Sequence, residues 1–221
     1  MDDFQHCFEL LKAGDADGLR RILEKDTGAC AARDATGVSL LMLCLYRGQR
    51  DLAELIAGKK KLDIFEAAGL GRTDRLKTCI DDLPSTGGSI DSASKDGFTA
   101  LHFACFFGQA DAVRMLLEHG AGVDVVAANP TRVMGLHSAA SARNLEAAGL
   151  LLERGAPVNA RQQGGWVPIH AAAQNGDRAM VELLLRHGAD PALANDAGKT
   201  AAEVAKEKGH AEIAGLLEKR T

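Results

Sequence analysis

His102 and Cys105 are the first residues to test for chemistry. Three apart on a helix they share a face, and an imidazole beside a thiol is how a cysteine nucleophile is activated. Such a pair also needs an orienting acid, and none is marked out by its spacing. Cys105 falls instead on an apolar stripe with Leu101 and Ala104, where a small side chain packs. Other chemical motifs fail in turn. GLGRTD, from Gly69, lacks the third glycine of a dinucleotide loop and reads as a helix turn. No His, Cys and Asp grouping has zinc spacing. The five cysteines are scattered singly, with no CxxC pair. No catalytic residue, metal or cofactor is expected.

What remains is how these residues are positioned. Leu-His at Leu101-His102 recurs as Leu136-His137 and Ile169-His170, 35 and then 33 residues on. Gly-Ala closes each unit at Gly120-Ala121, Gly155-Ala156 and Gly188-Ala189. Between them, DGFTALHFACFFGQADAVRMLLEHG carries two apolar helical stripes separated by Gly108. One such hairpin cannot bury its own apolar face and needs copies on either side. On these residues the chain resembles the ankyrin repeat family, with its period near 33 and T-P-L-H-x-A-type signature. The resemblance implies an all-α solenoid with short β-hairpin turns, about seven helix-turn-helix units in one domain over residues 1–221. It also implies that His102, His137 and His170 bridge neighbouring turns. His119 and His187 precede helix-ending glycines and are read as solvent-facing or supporting those helix ends.

Taking the position seven before each turn glycine as anchor, the units fall at Cys7, Leu41, Ile64, Leu101, Leu136, Ile169 and Ala202. Phe4, Cys7, Phe8, Leu10 and Leu11 form the first inner stripe. The third anchor comes only 23 residues after the second, so ten residues corresponding to a projecting finger are missing. The next interval, 37, carries DDLPSTGGSIDSASK, read as a long irregular loop. Repeats are expected to stack continuously across the short interval. In the fifth unit Arg143 stands where a turn glycine belongs. Polar Glu203, Lys206, Glu207 and Lys208 suit a solvent-facing terminal cap.

Composition is globular: 46% hydrophobic and 25% charged, with a net charge of −4. That charge gives no general attraction to nucleic acid or anionic membrane. MDDFQHCFELLKAG has no secretion-signal pattern, no apolar run is long enough to span a membrane, and cysteines odd in number and scattered singly suit a reducing, cytoplasmic setting.

In the family, partners are usually held on the concave side, by fingers and the exposed face of the inner helices. Helical geometry puts Phe103, Phe106 and Phe107 opposite the Leu101 stripe. The same offsets add Leu43, Tyr46 and Leu70, and the finger tips add Phe98 and Trp166. These eight residues are the expected contact surface for a protein partner, six of them aromatic in a chain with only 4% aromatics. The competing reading wedges Phe106 or Phe107 sideways into the stack, or fills the hole of the missing finger with Phe103. A module binding one protein of unknown identity, itself monomeric, is therefore expected. The alternative is a structural unit that self-assembles through the same patch.

Overall fold

The computed structural model describes residues 3–220. The described residues form seven helix pairs: α1 (Asp3–Ala13) and α2 (Ala16–Lys25), α3 (Leu40–Tyr46) and α4 (Arg50–Ala57), α5 (Ile64–Leu70) and α6 (Thr73–Thr86), α7 (Ala100–Phe106) and α8 (Ala110–Glu118). They continue as α9 (Gly135–Ser141) and α10 (Leu145–Glu153), α11 (Pro168–Gln174) and α12 (Arg178–Arg186), and α13 (Ala201–Glu207) and α14 (Ala211–Glu218). The odd-numbered helices form the inner row and the even-numbered ones the outer row. The expected hairpin fingers reach only two isolated antiparallel bridges among the described residues, Arg33 with Ser39 and Ala194 with Thr200.

One cluster of buried side chains runs from Cys7 to Leu217, passing through every helix pair. Consecutive inner helices pack against each other along the whole row, including α3 on α5 and α5 on α7. Stacking therefore continues across the short interval. The outer row is closely packed from α6 to α12, while an Arg72–Glu54 ion pair links α6 to α4. The anchors Cys7, Leu41, Leu101, Leu136, Ile169 and Ala202 are buried; Ile64 is only half-buried. The side chain of Phe4 lies outside the described residues.

The loop expected after α6 needs correction. Its first six residues, Asp81–Thr86, continue the helix. Leu83 prolongs the apolar stripe of Leu76 and Ile80. Pro84 gives up one i→i−4 bond, but it sits so near the helix end that only the last turn is disturbed, and Gly87 ends the helix at φ +67°.

Local polar chemistry ties the last four units together in succession. Thr99 Oγ1 accepts from the His102 amide at 3.4 Å, while His102 Nδ1 accepts from the Thr99 amide at 3.2 Å. Nδ1 of His137 and of His170 likewise accepts from Met134 and Val167, whose own side chains offer no cap. With Nδ1 accepting, Nε2 carries the proton and donates to a carbonyl of the following finger. Those carbonyls are Val133 at 3.0 Å, Ala160 at 2.9 Å and Lys199 at 3.0 Å. This is the turn bridging that the resemblance implied. His119 Nδ1 lies 2.8 Å from the Met115 carbonyl at its own helix end, and Arg143 adopts φ +59° where other units use glycine.

Two predictions follow from this geometry. Burial lowers the pKa of His102, His137 and His170, that of His137 to about 4. The unfolded chain thus binds protons more readily than the folded one. Stability should be level above the ordinary histidine pKa of about 6.5 and fall as pH drops from there towards 4. Urea titrations at pH 7.5 and 5 measure this, and His137→Gln should flatten the slope between them. Secondly, Arg143→Gly relieves a left-handed backbone that costs a residue with a Cβ about 1 kcal/mol, so it should raise the melting temperature by a few degrees.

Candidate functional site

Five of the six aromatics expected together do gather, but not all at the surface. Phe103 is the hub. Its ring centroid lies 5.7 Å from Phe98, 6.0 Å from Phe65, 6.3 Å from Tyr46 and 6.4 Å from Phe107, the last nearly parallel. Those rings leave it 2% exposed, so Phe103 is core and not an exposed contact. Leu70 is corrected in the same way. Tyr46 on α3 and Phe107 at the end of α7 meet at 5.8 Å although α5 lies between them in the row, and Leu70 on α5 is buried.

Phe107 turns inwards. A side chain added at Gly69 would bring its Cβ to 3.2 Å from Phe107 Cδ2 and 3.3 Å from Leu45 Cδ1, so the missing side chain of Gly69 makes room for both. Phe106 points out, 45% exposed, its ring edge-on to Phe107 at 5.2 Å. Tyr46 is 39% exposed. Its hydroxyl donates to Asp96 Oδ2 at 2.6 Å, joining the second and fourth units directly. Burial and the Asp96 carboxylate both hold the tyrosine in its neutral form. Tyr46, Phe98, His102, Phe103, Phe106 and Ser138 enclose an apolar pocket of about 110 Å³.

Leu43 and Trp166 stand apart. Leu43 lines a separate groove with Phe8, Leu11 and Arg47. Trp166 packs against its own His170, the rings tilted by 55° with centroids 5.5 Å apart. The residue missed by sequence reasoning is Phe65. Asp63 caps α5, accepting from the Glu66 amide at 2.9 Å, while Glu66 accepts from the Asp63 amide at 3.1 Å. That D-x-x-E capping box was legible. Counted from the cap, Phe65 takes the place of Leu101 and Glu66 that of His102. Glu66 is fully buried and paired with Lys60 at 2.7 Å.

The supposed catalytic pair is taken up by structure. Both His102 ring nitrogens are engaged, by Thr99 and Val133. Burial pushes the Cys105 thiol up, away from thiolate. Among the described residues, no three His, Cys, Asp or Glu side chains are placed to hold a metal ion, and no helix is long and apolar enough to cross a membrane.

Two family models match the chain: ankyrin repeats (3 copies) over residues 136–220 and ankyrin repeat over residues 96–129. Among curated relatives, the putative ankyrin repeat protein YahD of Escherichia coli (strain K12) is 30% identical; the match covers 70% of this chain and 94% of that protein. The B-cell lymphoma 3 protein homolog of Mus musculus is 36% identical over 61% of this chain and 31% of its own length. A putative ankyrin repeat protein of Rickettsia bellii (strain RML369-C) is 29% identical over 77% of this chain and 49% of its own. The chain thus spans about a third of the mouse relative and about half of the Rickettsia one. Ankyrin repeats generally mediate protein–protein interaction. With the cap-to-finger histidines, the seven stacked helix pairs and these matches together, the chain belongs to the ankyrin repeat family.

Proposed function

We propose that the chain is a non-enzymatic interaction module, one solenoid over residues 1–221, that holds a protein partner on its concave face. The observation carrying this reading is the exposure of Phe106 and Tyr46 around an apolar pocket in the middle of the row. Large aromatics left half in water beside a small apolar hole suit a protein side chain, since central aromatic anchors dominate interface energetics. The contact set is Tyr46, Phe98 and Phe106, with Phe107 at its edge, Phe103 as the floor beneath, and Leu43 and Trp166 peripheral. Leu70 drops out. Cys30, Cys44, Cys79 and Cys105 are in no disulfide, three of them buried, which supports a reducing, cytoplasmic setting.

The aromatics divide into two classes that respond oppositely to substitution. Phe106→Ser should leave stability within about 1 kcal/mol and weaken partner capture by ~30-fold, the equivalent of about 2 kcal/mol. Phe103→Ser should cost roughly 3–5 kcal/mol of folding stability through the cavity it leaves among four rings. Thermal melting and quantitative pull-down of both variants measure this. A Phe106→Ser protein that melts with the parent and captures the same partner equally well would overturn the module reading. Sedimentation equilibrium separates the self-assembly alternative, which requires a dimer that Phe106→Ser dissolves.

A further inference from the structure

Two described residues other than glycine hold a left-handed backbone, Arg132 at φ +53° and Arg143 at φ +59°, and both belong to the fifth unit. Arg132 stands where the fourth and sixth fingers have Gly97 and Gly165, and Arg143 where the neighbouring helix turns have Gly108 and Gly176. Such a backbone costs stability in any residue with a Cβ, and a local rule broken twice in one repeat needs a compensating gain. Packing within the protein does not supply it. Both arginines are exposed. The Arg132 guanidinium has no hydrogen bond or ion pair among the described residues. Arg143 Nε lies 3.8 Å from Asp177 Oδ2, beyond hydrogen-bond reach.

The two arginines bracket the aromatic pocket. Arg132 precedes Val133, whose carbonyl accepts from Nε2 of His102, a residue of the pocket wall. At the opposite end of α9, Arg143 precedes Asn144, whose Nδ2 donates to the Cys105 carbonyl at 3.4 Å, next to Phe106 in the same wall. Between them α9, about 10 Å of helix with no Asp, Glu, Lys or Arg, contributes Ser138 to the pocket. The finger beneath Arg132 is well braced. The Arg132 amide closes a turn to the Asn129 carbonyl at 3.2 Å, with Pro130 inside that turn. Asn129 Oδ1 accepts from the Thr131 amide at 3.1 Å, and its Nδ2 donates to the Asp96 carbonyl at 2.8 Å. The one acid beside the pocket is already engaged, Asp96 accepting from Tyr46 and Ser94. Arg161 on the sixth finger adds a further cation whose hydrogen bonds go to carbonyls, of Gly165 and Ala194.

We infer that the fifth unit and the pocket beside it bind an acidic segment of the protein partner. One apolar side chain enters among Tyr46, Phe98 and Phe106, and carboxylates on either side of it pair with Arg132 and Arg143. The inference rests on the interaction-module reading and states the partner's chemistry. Charge complementarity is its ground: cations without a hydrogen-bonded acid flank an apolar hole, in a chain whose net charge of −4 gives no general attraction to acidic protein. Arginine is suited to the role, because its planar fork takes a carboxylate with two parallel hydrogen bonds.

A phage-displayed library of random peptides is panned against the parent protein. Selected peptides are synthesised and titrated against the parent, Phe106→Ser, and the double variant Arg132→Gly with Arg143→Gly. Glycine restores the residue that the other units use, so the double variant should melt no lower than the parent. The expected peptides carry a large apolar residue flanked by Asp or Glu. Their affinity should fall roughly tenfold or more with Phe106→Ser and by a similar factor with the double variant. Peptide analogues with Asn or Gln in place of those acids should bind the parent and the double variant alike. Added salt should weaken the acidic peptides on the parent and leave the double variant nearly unmoved. Selected peptides without acids, or acidic peptides held equally by the double variant, overturn the inference; if Phe106→Ser still releases them, the module reading stands. Acidic peptides lost with the double variant but kept by Phe106→Ser overturn the pocket as their anchor, and the inference with it. A library without a binder overturns it too, and the module reading then rests on the Phe106→Ser pull-down alone. A parent dimer in dilute solution that the double variant dissolves would assign the arginines to a second copy of this chain. Displacement of the peptides by an oligouridylate that the double variant no longer binds would assign them to nucleic acid. Either result overturns the inference.

Discussion

The rest of the structure depends on a buried imidazole that must be neutral. In three consecutive units its Nδ1 accepts from the helix cap and its Nε2 donates to the following finger, so one ring satisfies two backbone groups in two different repeats. A protonated ring would set its own Nδ1–H against the cap amide. Apolar burial supplies most of the cohesion, but it is non-directional. The histidine fixes how far apart adjacent units sit and in what register. That spacing decides which inner-helix side chains meet their neighbours and which remain in water.

Where a finger is absent, the acceptor is absent too, and the residues around the gap change accordingly. The unit before it has Met42 at the bridging position, which needs no partner. The fingerless unit has Glu66, which caps its own helix and neutralises itself with Lys60, a buried pair with both members satisfied locally. The units on either side then meet across the shortened one. Tyr46 bonds to Asp96, and Tyr46 and Phe107 touch over α5. The aromatic cluster is thus chiefly a repair of the stack. Four rings around Phe103 replace the contacts that a finger and its histidine bridge make elsewhere.

This explains what was legible in the sequence. The periodic Leu-His and Gly-Ala pairs carry the fold because each has a local backbone reason, a cap or a left-handed turn, that repeats wherever the unit does. Arg143 was readable as a strained turn for the same reason. Phe103 and Leu70 were misplaced because helical offsets give the direction of a side chain from its own helix but not how near the next helix stands. Phe65 was missed through a register error of one residue, since counting back from Gly71 ignores that α5 reaches its turn glycine one residue early. The Asp63–Glu66 box, counted forwards, gives the right register. The continuation of α6 through Pro84 was hidden because proline and serine composition outweighed the stripe of Leu76, Ile80 and Leu83.

Packing at the gap also accounts for why any of the cluster stays exposed. A repair confined to the core would need Phe103, Phe65 and an inward Phe107, and these are buried or half-buried. Phe106 adds little to it: its one ring contact is to Phe107, and nearly half its surface faces water. Tyr46 serves both sides, its ring on Phe103 and Phe107 and its hydroxyl on Asp96, which keeps it fixed in one orientation. A rigid, half-exposed tyrosine beside an outward phenylalanine loses little side-chain entropy on binding, which is what favours aromatic anchors at interfaces. The shortened unit thus does two things at once: it draws rings together to close the stack, and it leaves the outer edges of Phe106 and Tyr46 fixed and uncovered.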